Sequence, residues 1–185
     1  MALAFALMLA ATAPDAAPPA LAEAPKSLKF EPKTQVDGAI LQVIFGERAL
    51  FRLDDAGQPV LDSVEKGQLA AAHPPGAATE TYAAPAPGLI AAALDGSAER
   101  QATILKVWNR LPHAVAYRVI VLVLHGQSLT PMAVPSCPVP AGGVRMETWP
   151  APVVAVGLSR FKLATKEALA RCAGHKPAAA TEKGK

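Results

Sequence analysis

The sequence predicts a mainly β protein, an immunoglobulin-like antiparallel β-sandwich with one short C-terminal helix. Short runs of apolar and β-branched residues recur along the chain, and Gly, Pro, Asp and Asn residues separate them. A helical pattern follows the last of these runs. Seven to nine short strands within one domain are typical of a sandwich, and a small β-barrel is the alternative architecture.

The first strands are predicted from alternation and turn residues. Residues 39–45 form an apolar strand that precedes a glycine, and we expect residues 49–53 to return beside it. A turn signal at residues 54–57 then leads to an alternating strand over residues 59–65.

Residues 67–87 interrupt this strand pattern. The segment is rich in Ala, Pro and Gly and has no period, which predicts a long loop. Beyond it, strands are predicted over residues 89–94 and 101–109. The pair Asp95-Gly96 is a hairpin turn signal between them.

The strongest predicted strand covers residues 114–124. Apolar residues occupy both of its faces past Arg118, which predicts a central strand that is covered on both sides. The short connection over residues 110–113 predicts that this strand pairs with residues 101–109.

The last elements follow a proline-rich stretch. Four prolines within residues 131–140 exclude a central strand there, and strands are predicted over residues 143–149 and 153–163. Thr165 is expected to cap a short helix over residues 166–172, with Gly174 as its terminator.

The chain is predicted to carry an export signal and one domain. Residues 1–22 combine an apolar run with the small-x-small ending Ala20-Leu21-Ala22, which predicts a signal peptide cleaved near Ala22. An uncleaved membrane anchor is the alternative, although the apolar run is shorter than the roughly 20 residues that span a bilayer. The lead-in at 23–38 includes an edge strand at 27–30, and the sandwich covers 39–175. We therefore expect a periplasmic or secreted protein.

The two cysteines, Cys137 and Cys172, are interpreted through this compartment. Two cysteines in an exported chain usually form a disulfide, and closing this loop would contribute about 4 kcal/mol in the chain-entropy model. Their spacing does not match a redox C-x-x-C motif, and two cysteines do not make a zinc site.

The charge is concentrated near the C-terminus. The chain has a net charge of +3, and from Arg160 onward it holds seven Lys or Arg residues and two Glu residues. The tail over residues 176–185 is predicted to be disordered. This distribution does not indicate a nucleic-acid-binding domain, but the tail is a candidate for weak electrostatic contact with an anionic envelope surface.

Five stretches between Ile104 and Phe161 carry a resemblance. They are Val107-Trp108-Asn109, Tyr117-Arg118, Ser136-Cys137-Pro138-Val139, Glu147-Thr148-Trp149-Pro150 and a strand that ends near Phe161. In this order they resemble a loose group of small exported bacterial proteins of unassigned function with sandwich-like folds. The resemblance covers roughly a third of the chain and implies the fold and export, without any catalytic or binding residue. The antibody-type signature is absent, since no cysteine precedes Trp108.

Candidate chemistry is sparse. His125, Met132 and Met146 are weak candidates for a periplasmic copper site, because imidazole and thioether groups suit copper, but loop and core roles explain them equally well. No G-x-S-x-G motif is present, and Ser136 has no evident base beside it. We expect no catalytic residue, no cofactor and no enzyme activity.

Aromatic residues near the central hairpin are the candidates for partner contact. Trp108, Arg110 and Trp149 form this set, since aromatic and Arg side chains often anchor interfaces. Asn109 is interpreted as a capping amide, and Tyr117 as a core phenol whose hydroxyl has a backbone hydrogen-bond partner.

The sequence thus predicts an exported, non-enzymatic protein-interaction module of the cell envelope. It is expected to bind an envelope protein through sheet edges or the Trp108 and Trp149 region, with residues 67–87 as a second surface. A small-ligand or copper carrier is one alternative. An inhibitor or accessory subunit of an envelope enzyme, with residues 131–140 as an inserted element, is the other.

Overall fold

The computed structural model describes residues 32–173 and shows a β-sandwich of two antiparallel five-stranded sheets, which confirms the predicted fold class. The immunoglobulin-like detail stays a prediction. The strands are β1 (Gln35–Asp37), β2 (Ile40–Ile44), β3 (Glu47–Leu53), β4 (Pro59–Lys66), β5 (Ile90–Ser97), β6 (Ala102–Asn109), β7 (Val115–His125), β8 (Ser128–Val134), β9 (Val144–Trp149) and β10 (Val153–Leu163). A 3-10 turn (Ala70–Ala72) follows β4, and helix α1 (Lys166–Ala173) follows β10.

The strands divide between two sheets. Sheet A has the order β1-β2-β10-β7-β8, and sheet B has the order β4-β3-β5-β6-β9. The chain crosses from sheet A to sheet B at Gly46, whose φ of +79° is a conformation that favours glycine. The expectation that residues 49–53 return beside residues 39–45 is therefore wrong, because β3 pairs with β4 and β5 instead. The expected pairing of residues 101–109 with residues 114–124 is wrong as well, because β6 lies in sheet B whereas β7 pairs with β8 and β10 in sheet A.

The inner faces of both sheets form one hydrophobic core. Strand alternation places the buried side chains of each sheet on the side that faces the other sheet. The largest of them include Leu41, Phe51, Leu94, Leu105, Val119 and Leu158. The predicted strand positions in β2, β6, β7 and β10 supply most of this core.

The pair Asp95-Gly96 lies inside β5 and not in the predicted hairpin turn. The chain turns at residues 98–101 instead. Gly96 answers a packing requirement, because a Cβ at this position would lie 2.7 Å from the carbonyl oxygen of Ala102. The glycine that predicted a turn is thus required for close packing between β5 and β6.

Strand β7 has one buried face and one exposed face. Its inner residues are buried, whereas Ile120 and Leu124 on the other side are exposed. The prediction that both faces are covered is wrong, because no segment within residues 32–173 packs over this outer side. One solvent-facing side is common in antiparallel sheets, but it is usually polar.

Residues 67–87 form a long connection with only one short 3-10 turn, and this connection packs against the sandwich; we call it the strap. The strap lies on the outer face of sheet B and buries Leu69, Ala72 and Tyr82 there. Together with residues of β3, β5 and β6 these side chains form a second hydrophobic cluster, whose other buried members are Leu50, Ala91, Ala93, Ile104 and Trp108.

The C-terminal helix begins as predicted. The Thr165 hydroxyl accepts a hydrogen bond from the Ala168 N–H (3.2 Å), which caps α1. No helix in residues 32–173 has the length and hydropathy to cross a membrane. The predicted signal peptide (1–22), edge strand (27–30), Gly174 and the tail (176–185) lie outside the described residues and stay predictions.

Candidate interaction surfaces

Charged side chains on the outer face of sheet B hold the strap in place through hydrogen bonds and ion pairs. Arg48 on β3 is the first of them. Its side chain is 4% exposed, bonds the carboxylate of Glu65 and donates to the Ala83 carbonyl of the strap. The guanidinium also lies 4.7 Å from the ring centroid of Tyr82 and 5.5 Å from that of Trp108. Arg48 therefore binds backbone, carboxylate and two aromatic rings at once.

Asp95 on β5 is the second fastening. One carboxylate oxygen accepts a hydrogen bond from the strap N–H of Leu69 (2.6 Å) and lies 3.3 Å from Nε2 of His73. The other oxygen accepts from the Gly96 N–H (2.7 Å). A buried carboxylate needs such partners, so this geometry explains why Asp95 stands inside a strand.

Lys106 on β6 is the third fastening. Its ammonium lies 3.1 Å from the Glu80 carboxylate and 4.7 Å from the ring centroid of Trp108. Glu80 in turn accepts a hydrogen bond from the Ala70 N–H (3.1 Å). Arg100 adds a bond to the Ala71 carbonyl (2.6 Å). The strap is thus held along its length by side chains of three strands and a turn.

The environment of Tyr82 shows how closely the strap packs. Burial, and to a lesser extent the nearby Asp95 carboxylate, raises the pKa of this phenol to about 12, although Arg48 acts in the opposite direction. Its hydroxyl donates to the Gly46 carbonyl (3.4 Å), and its ring packs edge-on against Trp108. The phenol is therefore favoured in its neutral form.

No segment within residues 32–173 forms such a cover on the outer face of sheet A. Residues that are paired in register share one face of a sheet, so the partners of Ile120 and Leu124 define this surface. We call it the sheet A face; its apolar members are Ile40 and Ile44 of β2, Ile120, Leu122 and Leu124 of β7, and Leu129, Pro131 and Ala133 of β8. Ile40 is 43% exposed, and Ile120, Leu124 and Leu129 are 38–39% exposed.

Charged residues lie at one end of the sheet A face. Arg118 of β7 is paired with Ser159, and Lys162 of β10 is paired with Ala116, so both belong to the outer side. Both are exposed. Asp37 of β1 lies three strands away from β7, about 14 Å across the sheet. The face is therefore apolar over most of its area and basic at one margin.

Two of the four sheet edges are protected by length or charge. β1 has only three residues, and short edge strands offer little to a partner strand. β4 carries Asp62, Glu65 and Lys66, and charges on an edge strand also oppose strand addition.

The other two edges are protected by a proline and by inward-facing charges. Pro131 lies in the middle of β8 and cannot donate a backbone hydrogen bond to an added strand. Arg145 and Glu147 of β9 are paired with Val107 and Leu105, which places both charges on the inner side of the edge. Edge pairing, one of the predicted binding modes, is therefore poorly supported at all four edges of the described sandwich.

The predicted contact residues do not lie together on an accessible surface. Trp108 is 5% exposed beneath the strap, which does not fit a role as an exposed anchor. Arg110 is exposed in the β6–β7 connection, and Trp149 is half-buried against the main core. The signal in the sequence that points to the sheet A face was the two-sided apolar pattern of β7, which we interpreted as burial.

Asn109 has the capping role that the sequence predicted. Asn109 is fully buried; its amide donates to the carbonyls of His113, Val139 and Pro140 at 2.8–3.2 Å, and its side-chain oxygen accepts from the Leu111 N–H (3.0 Å). Asn109 thus ties the β6–β7 connection to the segment that precedes β9.

Tyr117 lies in the core beside Phe161, with ring centroids 6.0 Å apart. Burial, and to a lesser extent Glu147, raises the pKa of its phenol far above the usual value. Its hydroxyl finds no hydrogen-bond partner among the described residues, so the expected backbone partner is not observed.

The weak metal candidates are not brought together. Met132 is paired with Val121 and His125 with Ser128, which separates them by about 13 Å along the strand direction. Met146 lies in the other sheet, beside Lys106. Within residues 32–173 no cluster of three or more His, Cys, Asp or Glu residues could hold a metal ion.

The segment between β8 and β9 is tied to the body of the domain. The Sγ atoms of Cys137 and Cys172 lie 2.08 Å apart, the distance of a disulfide bond, which joins this segment to α1. Ser136 donates to the Tyr117 carbonyl (2.7 Å), and Val139 pairs with Val115. Residues 135–140 are therefore anchored, which does not favour their predicted use as an inserted inhibitory element.

A cleft of about 520 Å³ opens at one end of the sandwich. Phe45, the Pro150–Pro152 crossover and the β5–β6 turn form its walls, and no charged residue lines it. A second cleft of about 430 Å³ lies beside the β3–β4 turn and includes Asp54, Asp55 and His113.

Comparisons with protein-family models, curated proteins and solved structures found no match to this chain. Function is therefore inferred from the sequence and from the described residues.

Proposed function

We propose that this chain is an exported, periplasmic and non-enzymatic protein-interaction module that binds an envelope protein through the sheet A face. The observation that supports this proposal most is the exposure of Ile40, Ile120, Leu124 and Leu129 on one continuous sheet surface. Contiguous apolar patches of this kind are rare on monomeric soluble proteins and mark interaction sites.

The contrast between the two outer faces supports the same proposal. The strap removes the outward apolar side chains of β3, β5 and β6 from water, although Val144 and Met146 of the edge strand β9 stay exposed. No segment of the described chain covers the outward side of sheet A in this way. Burying the exposed part of each Ile or Leu would stabilise a complex by about 0.5–1 kcal/mol. The protected edges leave the face as the better binding surface.

The test is crosslinking of the tagged full-length protein in its own cells, followed by purification from the envelope fraction and mass spectrometry. We expect one dominant envelope partner that is lost with Ile120→Lys. The matched control is Val64→Lys, since Val64 on β4 is equally exposed (40%) but lies in sheet B. Recovery of the wild-type protein alone, or equal loss with both variants, contradicts the proposal.

A second function, small-ligand binding, is favoured by the 520 Å³ cleft, whose volume is within the usual range for ligand pockets. Its lining of Phe45, Pro150 and Pro152 fits an uncharged, largely apolar ligand. Screening the pure protein against uncharged aromatic compounds by NMR, with Ala98→Trp as the blocked variant, tests it. Shifts confined to the cleft support it, and shifts that persist in the blocked variant oppose it.

A further inference from the structure

We infer that the partner surface which docks on the sheet A face is apolar and carries carboxylate side chains at one margin, opposite Arg118 and Lys162. This inference rests on the proposed function and adds the chemistry and orientation of the partner. It identifies a protein surface, and not a lipid surface or a second copy of this chain, as the occupant.

The positions of the charges carry the inference. Arg118 and Lys162 lie on the neighbouring strands β7 and β10. Lys162 is paired with Ala116, which is two residues from Arg118 along β7. Within residues 32–173 neither side chain makes an ion pair. Asp37 of β1 also faces this side of sheet A, but it lies two strands from Lys162 and three strands from Arg118. The basic margin is therefore open to an external anion.

The sheet B face shows what happens to cations that do have an internal partner. Arg48 and Lys106 lie in equivalent outward positions on β3 and β6, and the carboxylates of Glu65 and Glu80 bind them. Arg118 and Lys162 lack such carboxylates, so a partner that supplied them would complete the sheet A face in the way that the strap and β4 complete sheet B. Such complementary charges chiefly fix the register of the partner and speed its association.

The alternatives fit less well. A two-fold axis along β10, the middle strand of sheet A, would place Lys162 of one copy opposite Lys162 of the other, which opposes a symmetric dimer of that geometry. A lipid surface is better matched by protruding apolar side chains, whereas those on this face lie within a sheet and are at most 43% exposed.

The experiment places a photo-crosslinking amino acid in the full-length chain, at Ile120 near Arg118 in one variant and at Leu124 in another, and activates it in cells. The adduct and its crosslinked peptide are identified by mass spectrometry. We expect an apolar partner peptide with neighbouring Asp or Glu residues, and a fall of at least tenfold in adduct yield with Arg118→Glu and Lys162→Glu together. The matched control, Arg110→Glu, reverses an exposed charge away from the face and should leave the yield unchanged.

The outcomes separate this inference from the proposed function. A protein adduct whose yield ignores the double charge reversal overturns the inference and leaves the interaction module intact. A lipid adduct or an adduct with a second copy overturns the inference as well. No adduct from either of the two correctly folded crosslinker variants contradicts the proposed function itself. Far-UV circular dichroism and urea unfolding of each variant confirm that the fold is retained.

Discussion

The outer face of sheet B is covered by the strap over β3, β5 and β6, whereas that of sheet A is covered by no segment of residues 32–173. Both faces carry apolar side chains on antiparallel strands, and both carry outward-facing cations. On sheet B these cations meet carboxylates and aromatic rings, so that face belongs to the folded domain. The difference teaches that similar strand patterns can serve stability on one sheet and binding on the other.

The largest expected effect comes from removing the aromatic centre of the covered face. Trp108→Ala should lower the free energy of unfolding by about 3–5 kcal/mol, because it leaves a cavity under the strap. Ile120→Ala on the sheet A face should change it by less than about 1 kcal/mol. Urea unfolding of the two variants measures both values. Similar losses of unfolding free energy in the two variants would contradict the difference in burial between the faces.

Reducing the disulfide should have the next largest effect. Cys137 and Cys172 are 35 residues apart, and loss of a bridge over such a loop costs about 2–4 kcal/mol. Because the bridge belongs to neither outer face, its loss should lower stability and leave the protease resistance of the strap unchanged in the folded state. Urea unfolding with and without reductant, together with limited proteolysis, checks both parts. Cleavage within residues 67–87 on reduction would show an unexpected link.

Asp95→Asn tests the fastening of the strap directly. The substitution replaces by an amide the carboxylate that accepts the hydrogen bond from the Leu69 N–H and contacts His73. We expect a loss of about 1–3 kcal/mol and faster proteolysis within the strap. Asp62→Asn on the exposed edge of β4 is the control and should be nearly neutral. Equal protease resistance in both variants would mean that Asp95 does not hold the strap.

The smallest effect is a pH dependence. The folded-state pKa of Tyr82 is raised to about 12 from the usual 10. The contribution of the neutral phenol to the free energy of unfolding is therefore complete below pH 10 and decreases as the pH rises towards 12. Tyr82→Phe should therefore lose less stability than the wild type between pH 9 and pH 11.5. Tyr117→Phe is the parallel control, since burial raises the pKa of that phenol in the same direction. An identical pH dependence of stability in the wild type and Tyr82→Phe would mean that the Tyr82 hydroxyl is exposed to solvent.

The sequence predicted the elements whose local pattern agrees with their final environment. The alternation in residues 101–109 and the cap at Thr165 are examples, because one strand face or one helix start is defined by neighbouring residues. The packing of the strap onto sheet B was not predicted, because Leu69, Ala72 and Tyr82 follow no period and are ordered by distant partners. Its burial depends on long-range contacts with β3, β5 and β6, which local patterns do not encode.

The sheet A face was misinterpreted for a related reason. An apolar outward side of β7 has the same sequence pattern whether the protein itself or a partner covers it. Only the three-dimensional arrangement, in which the strap lies on sheet B, distinguishes the two cases. Asp95-Gly96 shows the same limit, since its turn-like composition serves a buried carboxylate and a close strand contact.

The most direct test of the account is hydroxyl-radical footprinting of the protein, pure and in its native envelope fraction. Each residue is compared with its own rate in urea-unfolded protein. In the pure protein we predict fast modification of Leu124 and Leu129 and slow modification of Trp108 and Leu50. In the envelope fraction Leu124 and Leu129 should become protected while the sheet B residues stay unchanged. Rapid modification of Trp108, or equal rates for Leu124 and Leu129 in both samples, would contradict the account.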